Sequence, residues 1–279
     1  MAKKYKIKKR DGLFSKLVLG IARRVKKTPQ IINLNEDGIE RKSIMIANHN
    51  GAGVTAYRIF LKQKYAPRFM TWTAFQVTKG FFTRWKYLYH VFYRKKLKYS
   101  KLRSFILATL LGTVYPLVRI IVGFIPVYFD LRLRDTLQHS LYTLEKGYSV
   151  FITPENAEKG YQKKEEGYPQ EIEQLFKGFL VLSKKYYEKN KIDLPIYTII
   201  YTTFNNNKKL VIGKPMYYQE LLKNHSQAEI LEIFRDYMNF LYKEYSYSKE
   251  YIYSGSSEMV FSYTHAENDG EENPATKTT

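Results

Sequence analysis

The chain contains no cysteine. Disulfides, thiolate nucleophiles and thiolate-held metals are therefore excluded, and the absence fits a reducing compartment. Acidic residues are missing from a long stretch as well, with none between Arg41 and Phe129. Any carboxylate that serves a group in that stretch must come from elsewhere in the sequence. No run of apolar residues reaches an uninterrupted membrane span. The most apolar segment, 104–129, has Pro116 and Arg119 near its middle, which argues against a crossing helix of about 20 residues. Internal repeats are absent, and no secretory signal is expected, because the apolar residues of the basic N-terminus are spaced rather than continuous. His90, His139, His225 and His265 have no partners at metal-ligand spacing, and no metal or bound cofactor is expected. His90, His139, His225 and His265 are expected at surface or loop positions.

What is present is positive charge, tyrosine and a globular share of apolar residues. The 279 residues carry 46 Lys and Arg against 26 Asp and Glu, a formal charge of +20. Such a field favours anionic partners, either nucleic acid or anionic lipid. Hydrophobic residues make up 44%, and 26 residues are tyrosine, a side chain suited to membrane–water boundaries. Basic residues cluster twice. Residues 1–30 hold eleven of them with one acid, Asp11, around Leu13, Leu17, Ile21 and Val25 at helical spacing. This reads as a basic amphipathic helix on an anionic bilayer. Residues 79–103 hold nine and no acid, interleaved with aromatics such as Phe81, Trp85, Tyr89 and Tyr99. Stacking plus phosphate contact would suit single-stranded nucleic acid, but the apolar segment that follows at once suits a membrane interface better. Anionic membrane lipid is the expected partner, and nucleic acid is not.

Periodicity predicts an α/β fold with a mixed, mostly parallel sheet flanked by helices, behind the N-terminal basic amphipathic helix. Strands are expected at 42–47, 68–73, 122–128, 149–153, 195–201 and 209–213. A helix is expected within the apolar segment, and further helices at 134–146 (stopped by Gly147), 171–189 and 227–243. A polar loop is expected at 160–169. Alternating strands and helices place helices on both faces of the sheet. The expected organisation is a membrane-surface segment at 1–30, an α/β domain at 31–250 and a polar, disordered tail at 251–279.

Four pieces then occur in order: Ile46-Ala47-Asn48-His49; Gly123-Phe124-Ile125-Pro126-Val127; Phe151-Ile152-Thr153-Pro154-Glu155 with Phe176-Lys177-Gly178; and Leu194-Pro195-Ile196-Tyr197 with Ile212-Gly213-Lys214-Pro215. The series resembles the glycerolipid and lysophospholipid acyltransferase superfamily over roughly residues 40–243. The resemblance implies transfer of a fatty acyl chain from a thioester donor, acyl-CoA or acyl-carrier protein, to a hydroxyl. It makes His49 the general base, a task that imidazole suits because its pKa lies near working pH. Glu155 is the second candidate catalytic residue, at a strand end where ligands gather in open α/β sheets. Asn48, Asn50, Gly51, Asn156 and Lys159 are candidates for substrate binding. Lys177 and Gly178 read as surface and packing.

The departures are specific. The family places an aspartate five residues after the histidine, where this chain has Val54. Loss of an orienting acid costs up to about 10⁴-fold in a catalytic triad. The remaining candidates for that acid are Glu155, Glu40 and Asp130. Phe129 and Glu158 stand where the family keeps arginines, so a neutral glycolipid, amine or sugar hydroxyl fits the acceptor as well as a glycerol phosphate. Three readings follow: a membrane-associated acyltransferase at the cytoplasmic face, peripheral or monotopic; a catalytically impaired lipid-binding relative; and a nucleic-acid-binding protein.

Overall fold

A computed structural model describes Tyr5 and residues 29–35, 38–49, 68–121, 123–155, 172–204 and 207–246. The amphipathic helix expected from Gly12 onward, the polar loop at 160–169 and the tail from 251 lie outside the described residues.

Two four-residue apolar runs form the centre of the sheet. Ile44–Ala47 (β2) and Ser149–Ile152 (β5) are buried at every residue. Strands covered on both faces need no polar alternation, so they read as continuous apolar runs. Around them lie Gln30–Asn33 (β1), Phe69–Ala74 (β3), Gly123–Val127 (β4), Pro195–Phe204 (β6) and Asn207–Tyr217 (β7), in the order β1-β7-β6-β2-β5-β3-β4. Among the described strands, the β6–β7 hairpin pairs antiparallel and the other pairings are parallel. The fold is therefore α/β with a mostly parallel mixed sheet.

Alternation along each strand divides the core. Ile44 and Ile46 join Leu144, Phe179 and Phe234 on one face, whereas Met45 and Ala47 join Phe69, Phe151 and Tyr197 on the other. The first face is covered by Leu133–Glu145 (α4), Gly178–Asn190 (α5) and, after the short Tyr218–Leu221 (α6), Gln227–Ser246 (α7). The β4–β5 and β5–β6 connections step back across the sheet, and right-handed crossovers put both their helices on that face. The β3–β4 connection steps the other way. It contains Phe75–Thr78 (α1), Phe81–Lys86 (α2), the π-helical Tyr87–Lys96 and Lys101–Ile121 (α3). Tyr115 of α3 stacks on Phe124 of β4, centroids 5.0 Å apart, which seats α3 against the opposite face.

Three expectations are corrected. The helix expected at 171–189 begins at Gly178, because Leu175 bridges to Glu155 and the Phe176 N–H donates to the Pro154 carbonyl at 2.8 Å. Those bonds hold 172–176 out of the helix. β1 was not expected; it is an edge strand secured by parallel pairing with β7, Gln30 opposite Lys209. His139 is not a surface histidine. It is half-buried on α4 beneath the Tyr5 ring, 4.6 Å between centroids, and burial pushes its pKa down to about 4.

Two glycines of the motif series are packing requirements. A Cβ at Gly213 would lie 2.8 Å from the Tyr237 ring, whose hydroxyl accepts the Lys214 N–H at 3.0 Å. A Cβ at Gly178 would meet the Trp72 indole at 2.9 Å.

Candidate functional site

The parallel register of β2 and β5 builds the site. Ile46 pairs with Ile152, so His49 and Glu155 each stand three residues beyond the same rung, at the strand ends where open α/β sheets bind ligands. The Glu155 carboxylate, only 7% exposed, accepts the His49 main-chain N–H at 2.6 Å. This is a short hydrogen bond. Of the three candidate acids, Glu155 is bonded to His49, and the bond is to its main chain. Glu40 lies before β2, at the far end of that strand, where it accepts the Tyr217 hydroxyl at 3.4 Å. Asp130 is engaged by Arg132, at 2.6 Å in the closest contact, which holds its carboxyl down to about 2.

Asn48 fixes the other side of His49. Its side-chain oxygen accepts the Tyr201 N–H, and its amide donates to the Tyr201 carbonyl, both at 2.9 Å. The side chain thus imitates a strand and carries the β2–β6 pairing one residue past Ala47. Asn48 is buried. The main chain around His49 is therefore tied to β6 before it and to Glu155 at it. Asn50, Gly51, Asn156 and Lys159 lie outside the described residues. Phe129 is exposed.

Burial lowers the His49 pKa from its ordinary value; a hydrogen bond to its own backbone opposes this, and the positive charge of Lys96 lowers it further. The shift favours the neutral imidazole, the form a general base requires. Burial raises the Glu155 pKa, while the His49 N–H pulls it back. Lys96 was not singled out by the sequence. It closes the π-helical segment, an irregular helix of a kind often found at functional sites, and its only sequence signal is membership of the acid-free basic stretch. Among the described residues no three His, Asp or Glu side chains gather to hold a metal ion.

No protein-family model matches the chain, and no curated protein matches it. The site must be judged on its own geometry and on its motif order.

One expected outcome follows from the charge of Lys96. Lys96→Gln removes a cation that disfavours the imidazolium, so the His49 pKa should rise. If neutral His49 is the base, the acid limb of the kcat/KM profile should move to higher pH, with the alkaline plateau less affected. A pH–rate profile of the variant checks this; an unmoved or downward-moved limb contradicts it.

Proposed function

We propose that this protein is a membrane-associated acyltransferase that moves a fatty acyl chain from acyl-CoA or acyl-carrier protein to a lipid or sugar hydroxyl. The observation that carries the reading is the junction of two motif pieces. Asn48-His49 and Pro154-Glu155, over a hundred residues apart, end adjacent parallel strands and are joined by the Glu155–His49 hydrogen bond. A neutral, backbone-anchored imidazole at that position suits general-base catalysis.

In the proposed reaction His49 takes the proton of the acceptor hydroxyl as its oxygen attacks the thioester carbonyl. A C–O bond forms, the C–S bond breaks, and the proton passes from imidazolium to the departing thiolate. The chemistry calls for no covalent enzyme intermediate. Glu155 and Asn48 position the base through its main chain. Lys96 is a candidate to face an anionic part of donor or acceptor, a role that the absent family arginines would otherwise fill. The setting we propose is the cytoplasmic face of a membrane rich in anionic lipid, with no bound cofactor.

Purified full-length protein given radiolabelled acyl-CoA or acyl-carrier-protein thioester, together with a lipid extract, should yield labelled lipid. Thioester that stays intact, or that is only hydrolysed, contradicts the reading. A second reading is favoured by one observation: the Glu155 carboxylate is committed to the main chain of His49, and Val54 leaves the family's orienting position without an acid. That reading is a lipid-binding relative without turnover. It expects saturable binding of acyl-CoA and no product in the same assay.

A further inference from the structure

Helix α3 has an exposed apolar face that no other described helix or strand covers. Its inner side is used: Ser104, Ala108 and Tyr115 are buried, and Trp85 of α2 donates to Thr109 at 3.0 Å. Yet Leu102, Ile106, Leu110 and Val114 recur every four residues on the outer side, with Phe105 beside them, and all are exposed. Leu102 is 72% and Leu110 57% exposed. A helix apolar on all sides is normally enclosed by protein or by lipid. The stripe also extends onto α2. The Phe81 ring lies 3.1 Å from the Cβ position of Gly112, and Phe82, 78% exposed, packs edge-on against Phe81.

We propose that this α2–α3 surface is the bilayer-docking face of the protein, lying along the membrane with the stripe immersed below the headgroups. The proposal rests on the membrane-associated part of the functional reading and is independent of acyl transfer. Charge chooses the occupant. No charged residue occurs from 104 to 118, so the middle of the stripe has nothing to hold in water. Thr113, the polar residue exposed between Leu110 and Val114, donates its hydroxyl to the Thr109 and Leu110 carbonyls of its own helix at 3.0 and 2.8 Å. Such back-bonding satisfies a hydroxyl where water is lacking.

At the N-terminal end of α3 the character changes. Lys86, Lys95, Lys98, Lys101 and Arg103 are exposed there, beside Trp85 stacked on Tyr89 and Arg103 stacked over Tyr99 at 4.0 Å. Aromatics and cations bordering an apolar band are the pattern of a headgroup boundary. A second copy of the chain would bring two cationic rims together, and nucleic acid would meet a stripe without a cation. Among the described residues no helix is long and apolar enough to cross a membrane, so the face is read as lying on the bilayer rather than spanning it.

The absence of native cysteine makes the test direct. Full-length protein carrying Leu110→Cys is labelled with an environment-sensitive fluorophore and titrated with phosphatidylcholine vesicles, with and without phosphatidylglycerol. Lys184→Cys, at an exposed position of α5, is the control. The expected result is a blue shift at position 110 on anionic vesicles and none at 184. In vesicle sedimentation Leu102→Asp with Leu110→Asp should weaken binding by about tenfold or more while circular dichroism stays unchanged. Binding to vesicles with no change at position 110, and no loss in the double variant, overturns the proposal and leaves membrane association standing on another surface. A blue shift that grows with protein concentration and without lipid assigns the face to a second copy. No binding to either vesicle overturns both this proposal and the membrane reading.

Discussion

Glu155→Ala is expected to reduce acyl transfer by about 10²-fold, whereas Glu155→Gln should keep most of the rate. The difference lies in what the carboxylate holds. Its contact is the His49 main-chain N–H at 2.6 Å. Alanine removes the acceptor and leaves a secluded donor unsatisfied, at a cost of about 1–3 kcal/mol. The main chain that carries the imidazole then loses its bond to Glu155. Glutamine keeps an oxygen at nearly the same place, losing only the assistance of the charge. Initial rates of labelled-lipid formation by the two variants measure the difference. Equal, severe loss in both would mean that the negative charge itself serves the imidazole. Equal retention in both would mean that Glu155 has no part in the reaction.

Phe234→Ala is expected to destabilise the fold by about 3–5 kcal/mol. Phe234 of α7 is fully buried and meets Phe179 of α5 edge to face, centroids 5.2 Å apart. This contact joins two helices over the strands that carry the site, and truncation opens a cavity in an otherwise closed core. A fall in Tm on the order of 10 °C is the corresponding thermal signature. A change of only a degree or two would show that α7 contributes little to holding the sheet. His49 and Glu155 lie apart from this pair, so the remaining folded fraction should retain its rate per molecule.

The central strands were legible because burial on both faces leaves a simple mark: a short apolar run, as in Ile44–Ala47 and Ser149–Ile152. The stop of α4 was legible for a local reason too, since Gly147 adopts a φ of +77° just past the helix. Features fixed by distant partners were not. β1, with the sequence Gln-Ile-Ile-Asn, has no distinctive pattern and depends on β7. Residues 172–176 carry helix-forming side chains, but Leu175 and Phe176 are bonded to Glu155 and Pro154 instead, and the segment is not helical. The basic-aromatic stretch gave composition without structure. Its Arg84 is buried, donating to the carbonyls of Val77, Lys79 and Gly112 and lying over Tyr115, 4.4 Å from the ring centroid. No sequence period announces such a clasp.

The site divides in the same way. His49 and Glu155 were legible from motif order, and their meeting follows from equal offsets beyond paired residues of β2 and β5. The manner of the meeting was not legible. An acid sought for the imidazole ring is bonded instead to the main chain. Asn48, read as a substrate contact, has its amide engaged by Tyr201. Lys96 acts on His49 electrostatically from a helix beyond β3, and only the tertiary fold reveals that. Glu155 and Asn48 hold the main chain at His49, and burial lowers the pKa of its ring.

Whether that arrangement performs catalysis is measured most directly by comparing wild type and His49→Ala in the same transfer assay. Both proteins are supplied with labelled acyl thioester and a lipid extract, and circular dichroism establishes that the variant is folded. The expected result is labelled lipid from wild type and a rate lower by about 10²–10⁴-fold in the variant. Labelled lipid formed at an undiminished rate by His49→Ala, or none formed by wild type, would contradict acyl transfer at His49.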